Sequence, residues 1–277
     1  MRRAASLALR ATTSPGGPMF HRMGNQFVHS VSFGAGEPPL VAIPGSIANW
    51  EIWQPPLEIL SERWRVIALD HAGVGQTRVP PDEISFETQV ETVLSVLDSR
   101  GIDACVLASD SHNVAVAIEV ALRCPGRVRG LVLMAGLAWG FDTPETRRFI
   151  EALEADFGAA IGFFARACLP EENSGHLRQW LTDILKSTGP ERIVALLRSY
   201  FPVDLRDRLS DIAVPTLVVA GALDALSANR KDFEYLASQI PGARLELIDG
   251  AGHIPMFSEP EKVAALISAH MRDITAG

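Results

Sequence analysis

From Phe27 onward the apolar positions of this chain fall into two alternating patterns. Short apolar, often β-branched runs predict strands over Val28–Phe33, Leu40–Ile43, Arg65–Leu69, Ala104–Ala108, Leu131–Met134, Thr216–Ala220 and Leu245–Ile248. The later runs are continuously apolar, as parallel strands covered on both faces require. Between them, apolar residues recur at helical spacing. Phe86, Val90, Val93, Leu94 and Leu97 share one face, and Ala115–Leu122 reads as a buried helix that stops before Pro125. Val263, Leu266, Ile267 and His270 mark a last helix begun at Pro260. Alternation of this kind predicts an α/β fold, a mostly parallel sheet with helices on both faces.

One stretch breaks the rhythm. Phe149, Leu153 and Phe157 have helical spacing, as do Leu177, Trp180, Leu181 and Ile184, and then Ile193, Leu196, Leu197 and Tyr200. No strand pattern separates them. Residues 141–208 are therefore expected to form a helical cap inserted into a core domain made of 27–140 and 209–277. Residues 1–26 carry Arg2, Arg3, Arg10 and Arg22, and the first acidic residue is Glu37. They read as a flexible or leader segment, an Arg-bearing composition that a transit peptide would share.

Composition narrows the function classes. With 277 residues, 47% of them hydrophobic, the chain can bury a large core. A formal charge of −8 opposes phosphate binding, so no nucleic-acid partner is expected. The longest apolar runs are strand length, short of the roughly 18 residues of a membrane helix. A soluble, cytoplasmic protein acting on a small molecule fits these features, with homodimerisation left open. Cys105, Cys124 and Cys168 lack metal-type spacing and read as free thiols, and the seven histidines form no i,i+4 pair. No metal and no cofactor are expected.

The most informative stretch is Ala104-Cys-Val-Leu-Ala-Ser-Asp-Ser111-His-Asn-Val-Ala-Val-Ala-Ile-Glu119, an apolar strand, a tight polar turn and an apolar helix. A serine on such an elbow stands at a helix N-terminus, where the following N–H groups can stabilise an oxyanion. On its own the stretch favours a helix with Ser111 as N-cap. Two later segments change that balance. Pro215-Thr-Leu-Val-Val-Ala-Gly221-Ala-Leu-Asp224 is a strand ending in an aspartate, and Leu245-Glu-Leu-Ile-Asp-Gly-Ala-Gly252-His253 is a strand leading to a Gly-rich turn with a histidine. Serine, aspartate and histidine thus follow in order on three strand ends.

These segments resemble the α/β-hydrolase fold superfamily, with Ser111 at the nucleophile position of its G-x-S-x-G elbow. The resemblance covers roughly residues 27–272. It implies a serine hydrolase of esterase or lactonase type: Ser111 as nucleophile, His253 as base and Asp224 as orienting acid. Ser109 and Asn113 stand where the superfamily usually carries glycine. Asp110 as nucleophile would shift the register and put bulky His112 where the turn wants a small residue.

Leu40-Val-Ala-Ile43-Pro44-Gly45-Ser46-Ile47 ends an early strand where the superfamily carries His-Gly, with Pro44 replacing the histidine. The resemblance assigns the oxyanion hole to the N–H of Ser46 or Ile47 together with that of His112. Asp70-His-Ala-Gly73-Val-Gly75-Gln-Thr77 resembles a structural turn beneath the site. Trp50 and Trp139 follow strand ends, and Met256 and Phe257 flank His253, so these four are expected to wall an apolar substrate pocket. Two rival readings stand beside the hydrolase. Pro44-Gly45 and Ser109-Asp-Ser-His112 also resemble cofactor-free dioxygenases of this fold that act on hydroxylated N-heteroaromatics, although Ala135–Trp139 offers no acid at the strand end used there. The third reading is a non-catalytic ligand-binding receptor.

Overall fold

The computed structural model describes residues 17–140, 142–226 and 230–276. In chain order the elements are β1 (Met19–Met23), β2 (Gln26–Phe33), β3 (Leu40–Ile43), α1 (Gln54–Leu60), β4 (Val66–Leu69), α2 (Phe86–Ser99), β5 (Cys105–Asp110) and α3 (Asn113–Arg123). Then come β6 (Val128–Met134), α4 (Pro144–Ala155), α5 (Phe157–Cys168), α6 (Gly175–Thr188), α7 (Pro190–Ser199), β7 (Thr216–Gly221) and α8 (Arg230–Gln239). β8 (Arg244–Ile248), α9 (Pro255–Ser258) and α10 (Pro260–Ala276) complete the chain.

The eight strands form one sheet in the order β1-β2-β4-β3-β5-β6-β7-β8. β1, β2 and β4 pair antiparallel, and from β4 to β8 every pairing is parallel. The period-2 pleat sends alternate side chains to opposite faces. Leu40 and Ala42 of β3, with Val106 and Ala108 of β5, join α1 and α10 on one side. Val41, Ile43, Cys105 and Leu107 face α2, α3 and α8 on the other. Both faces are covered, which is why these strands read as unbroken apolar runs.

All seven strands expected from the sequence form, with ends shifted by at most a few residues. The eighth, β1, corrects the reading of 1–26 as a flexible or leader segment. Met19–Met23 pairs with β2 through a two-residue Gly24-Asn25 turn, Gly24 taking the positive φ of 57° that a tight hairpin favours. Its inner residues Met19, His21 and Met23 are half-buried, and His21 Nε2 lies 2.9 Å from Ser95 Oγ of α2. Residues 1–16 of that segment lie outside the described residues.

Helices α4–α7 occupy the segment expected as a cap. Its two ends run side by side: Trp139 bridges Asp204, and Leu205 N–H donates to the Ala138 carbonyl at 2.9 Å. The cap is thereby fastened next to the carboxyl ends of β5 and β6. No helix among the described residues is long and apolar enough to cross a membrane.

Candidate active site

The parallel strands end on the side where the cap sits. β5 stops at Asp110, Ser111 turns with a left-handed φ of 55°, and α3 begins at Asn113. A non-glycine residue held there costs on the order of 1–3 kcal/mol, so the surroundings must over-determine it. They do so from two sides. Ser111 N–H donates to the Met134 carbonyl at 2.9 Å. A Cβ on Gly136 would lie 2.0 Å from the Ser111 carbonyl oxygen, and one on Gly45 would lie 2.6 Å from Asp110 Oδ2. The close approach that the elbow's own sequence lacks glycines for is supplied by glycines of neighbouring loops.

Ser111, His253 and Asp224 come together from three strand ends. Ser111 Oγ lies 3.2 Å from His253 Nε2, and His253 Nδ1 lies 2.9 Å from Asp224 Oδ2. Asp224 Oδ1 accepts the Leu226 N–H at 3.0 Å. Burial would lower the His253 imidazole, but the charge and hydrogen bond of Asp224, with a smaller contribution from Asp110, outweigh it and hold the ring above the usual histidine value. The cap braces this loop: His253 N–H donates to the Cys168 carbonyl at 2.9 Å, and Gly252 N–H to Glu171 Oε1 at 2.8 Å. Neither brace was visible in the sequence, because the cap's register over the turn is a tertiary property.

Ser46, Ile47 and His112 border the same cavity as Ser111. The loop carrying Ser46 is closed by the Ala48 N–H on the Gly45 carbonyl, which His71 Nε2 also meets at 3.2 Å. His71 and Asp70 belong to the structural turn read from the sequence. Asp70 accepts from the Trp50 and Gln76 N–H groups and contacts His29 Nδ1 at 2.8 Å. The His112 ring lies between Ser111 and the cap, with Nδ1 3.3 Å from Ser46 Oγ and 3.5 Å from Ser111 Oγ, and its centroid 5.2 Å from that of Tyr200. Burial first, then the His253 charge, pushes it down to about 3, so it stays neutral beside Ser111.

Asp110 is a residue whose role the sequence did not reveal. It accepts from Trp53 Nε1 at 2.6 Å. Burial pushes its carboxyl up to about 7, against the Trp53 hydrogen bond, the His253 charge and the Gly45 N–H. With its oxygens engaged by Trp53 and Gly45, it supports the Gly45 loop from below.

The cavity, about 300 Å³, opens between elbow and cap. Ile52, Phe149, Phe164, Leu181, Leu185 and Ile254 supply much of its apolar wall, and no lysine or arginine borders it among the described residues. The four aromatic and Met residues expected there do not line it. Trp50 turns back onto Phe33, with ring centroids 6.0 Å apart. Trp139 packs edge-on against Tyr235 under the Arg206 guanidinium, beside the cap's stalk. Met256 is wholly buried in the core, and Phe257 packs on Trp180 at 4.7 Å. The wall comes instead from inward faces of α4–α7 together with Ile47, Ile52 and Ile254. Among the described residues no three His, Cys, Asp or Glu side chains gather as metal ligands would.

Comparison with known proteins agrees with this fold. A family model described as alpha/beta hydrolase fold matches residues 38–260. A pimeloyl-(acyl-carrier protein) methyl ester esterase of Nitrosomonas europaea is 28% identical over 87% of this chain and 98% of that protein. A strigolactone esterase of Arabidopsis thaliana is 26% identical over 84% and 92%. Among solved structures, an esterase from Thermogutta terrifontis superimposes with a TM-score of 0.81 at 25% identity, covering 93% of this chain and 98% of that one.

Proposed function

The chain belongs to the α/β-hydrolase fold family, and from that membership we propose that it is a serine hydrolase cleaving a small, uncharged, largely apolar ester or lactone. The observation that carries the proposal is the unbroken relay from Ser111 Oγ through His253 to the buried Asp224. Similarity to proteins named as esterases supports the reaction class.

His253 Nε2 takes the Ser111 proton as Oγ attacks the carbonyl carbon. The tetrahedral oxyanion that results is met by backbone N–H groups of Ser46 or Ile47 and of His112. His253 returns the proton to the leaving alkoxide, and the acyl group stays on Ser111. Water, deprotonated by His253, then attacks the acyl-enzyme, and the carboxylic acid leaves as Ser111 recovers its proton. In a lactone, alcohol and acid depart as one molecule. The apolar wall without a cationic neighbour disfavours phosphorylated or carboxylate-bearing substrates. The cavity volume suits a compact acyl group.

The test is turnover of short and medium p-nitrophenyl esters and of simple lactones by wild type and Ser111→Ala. Saturable release of product by the wild type, lost in the variant, is the expected result. Absence of turnover together with oxygen uptake on a hydroxyquinolone would replace the hydrolase with a dioxygenase, and ligand binding without either reaction would make it a receptor.

A pH profile follows from the same geometry. The base form of His253 is the active one, so kcat/KM should rise as pH passes its pKa and then level. Because Asp224 favours the protonated ring, the midpoint is expected above the histidine value of about 6.5. A midpoint below that value, measured between pH 5 and 9, would remove Asp224 as the partner that sets the base.

A further inference from the structure

We propose that Asn113 is a positioning residue that holds the oxyanion loop against the nucleophile elbow, and that Tyr200 of the cap holds Asn113. The proposal rests on the serine-hydrolase reading above.

Pro44 stands where the superfamily carries histidine, and Asn113, like Ser109, where it carries glycine; Pro44 and Asn113 meet. Asn113 Nδ2 donates to the Pro44 carbonyl at 2.6 Å, and the Tyr200 hydroxyl donates to Asn113 Oδ1 in a short hydrogen bond. The partners fix which way the amide points. A proline carbonyl can only accept, so the NH₂ faces it and the oxygen faces the tyrosine. Asn113 and Tyr200 are buried at 0% and 1% exposure. A group left unpaired there would lose its hydrogen bond without gaining water.

The positions joined explain the role. Pro44 leads directly into Gly45, Ser46 and Ile47, the segment that offers one oxyanion donor. Asn113 directly follows His112, which offers the other. One amide therefore spans the two segments whose N–H groups must converge on a single oxygen. In the first segment Gly45 has no side chain and Pro44 no N–H with which to bridge to the elbow, so the bridge comes from the Asn113 amide. Tyr200 closes α7, the last cap helix, and the adjoining stalk is fastened by the Trp139–Asp204 bridge. The cap thus reaches the oxyanion donors through two hydrogen bonds.

Donors displaced from the oxyanion weaken transition-state binding more than substrate binding. Asn113→Gly, which restores the superfamily's residue, is expected to lower kcat for a p-nitrophenyl ester by about 10- to 100-fold, with KM changed by less than about threefold. Affinity for a trifluoromethyl ketone, whose adduct places an oxygen anion at the same donors, should fall in parallel with kcat. Tyr200→Phe should lower kcat by about three- to tenfold, and the double variant should be no worse than Asn113→Gly, since Tyr200 acts through Asn113. Ser111→Ala is run alongside. Wild-type turnover that is absent, or that survives Ser111→Ala, overturns the hydrolase reading and this proposal with it. Turnover that requires Ser111 but keeps its kcat and its ketone affinity in Asn113→Gly overturns this proposal alone. If Asn113→Gly does not fold, as judged by circular dichroism, Tyr200→Phe decides, and an unchanged kcat there is the contrary result.

Discussion

Asp224→Asn is expected to lower kcat by about 10⁴-fold while leaving KM and thermal stability close to wild type. Asp224 acts by orienting the imidazole. Asp224 Oδ1 receives the Leu226 N–H at 3.0 Å, while Oδ2 receives His253 Nδ1–H at 2.9 Å. An asparagine amide keeps its carbonyl oxygen on the Leu226 donor, which leaves its NH₂ facing His253. The ring must then accept at Nδ1 and carry its proton on Nε2, where it cannot take the Ser111 proton. Shape and burial are unchanged, so the fold should tolerate the change. Steady-state kinetics and a thermal melt check both halves. A variant within tenfold of wild type would mean that His253 is oriented by something other than Asp224.

Gly136→Ala is expected to damage stability and activity together. The added Cβ would meet the Ser111 carbonyl oxygen at 2.0 Å and its carbonyl carbon at 2.7 Å, both backbone atoms that no rotamer change can move. Ser111 at φ 55° and Ala135 at φ 48° already occupy the left-handed region side by side across this contact. Relief requires the elbow to shift. Overpacking of this kind costs about 1–3 kcal/mol, which corresponds to a Tm lower by about 2–12 °C for a chain of this size. An elbow displaced by about 1 Å should reduce kcat by about 100-fold. Gly126→Ala is the control, because nothing stands within 4 Å of a Cβ there. Wild-type Tm and kcat in Gly136→Ala would show that the elbow is not held by that glycine.

The sheet was legible because burial on both faces writes itself into sequence as unbroken apolar runs between turn residues. β1 escaped because an edge strand needs no such run: Phe20 and Arg22 point outward, and only the Gly24-Asn25 turn marks the hairpin. The three polar residues were legible from strand ends and chain order, features that survive without knowledge of packing. The pocket wall was not. A tryptophan after a strand end says nothing about the direction of its ring, and Trp50 and Trp139 turn toward Phe33 and Tyr235 instead. The actual wall, with Phe149 stacked on Phe164 at 4.9 Å, depends on how the cap helices rotate about their axes. Pro44 and Asn113 each read as a lost feature when taken singly, and only the three-dimensional contact shows them to be partners.

The most direct measurement is rapid mixing of the protein with excess p-nitrophenyl ester, an acid quench within the first turnovers, and mass mapping of the peptides. An acyl group on Ser111, with a burst of p-nitrophenol approaching the enzyme concentration where deacylation is the slower step, is the predicted result. Turnover without an acyl adduct, or an adduct on a residue other than Ser111, would contradict it.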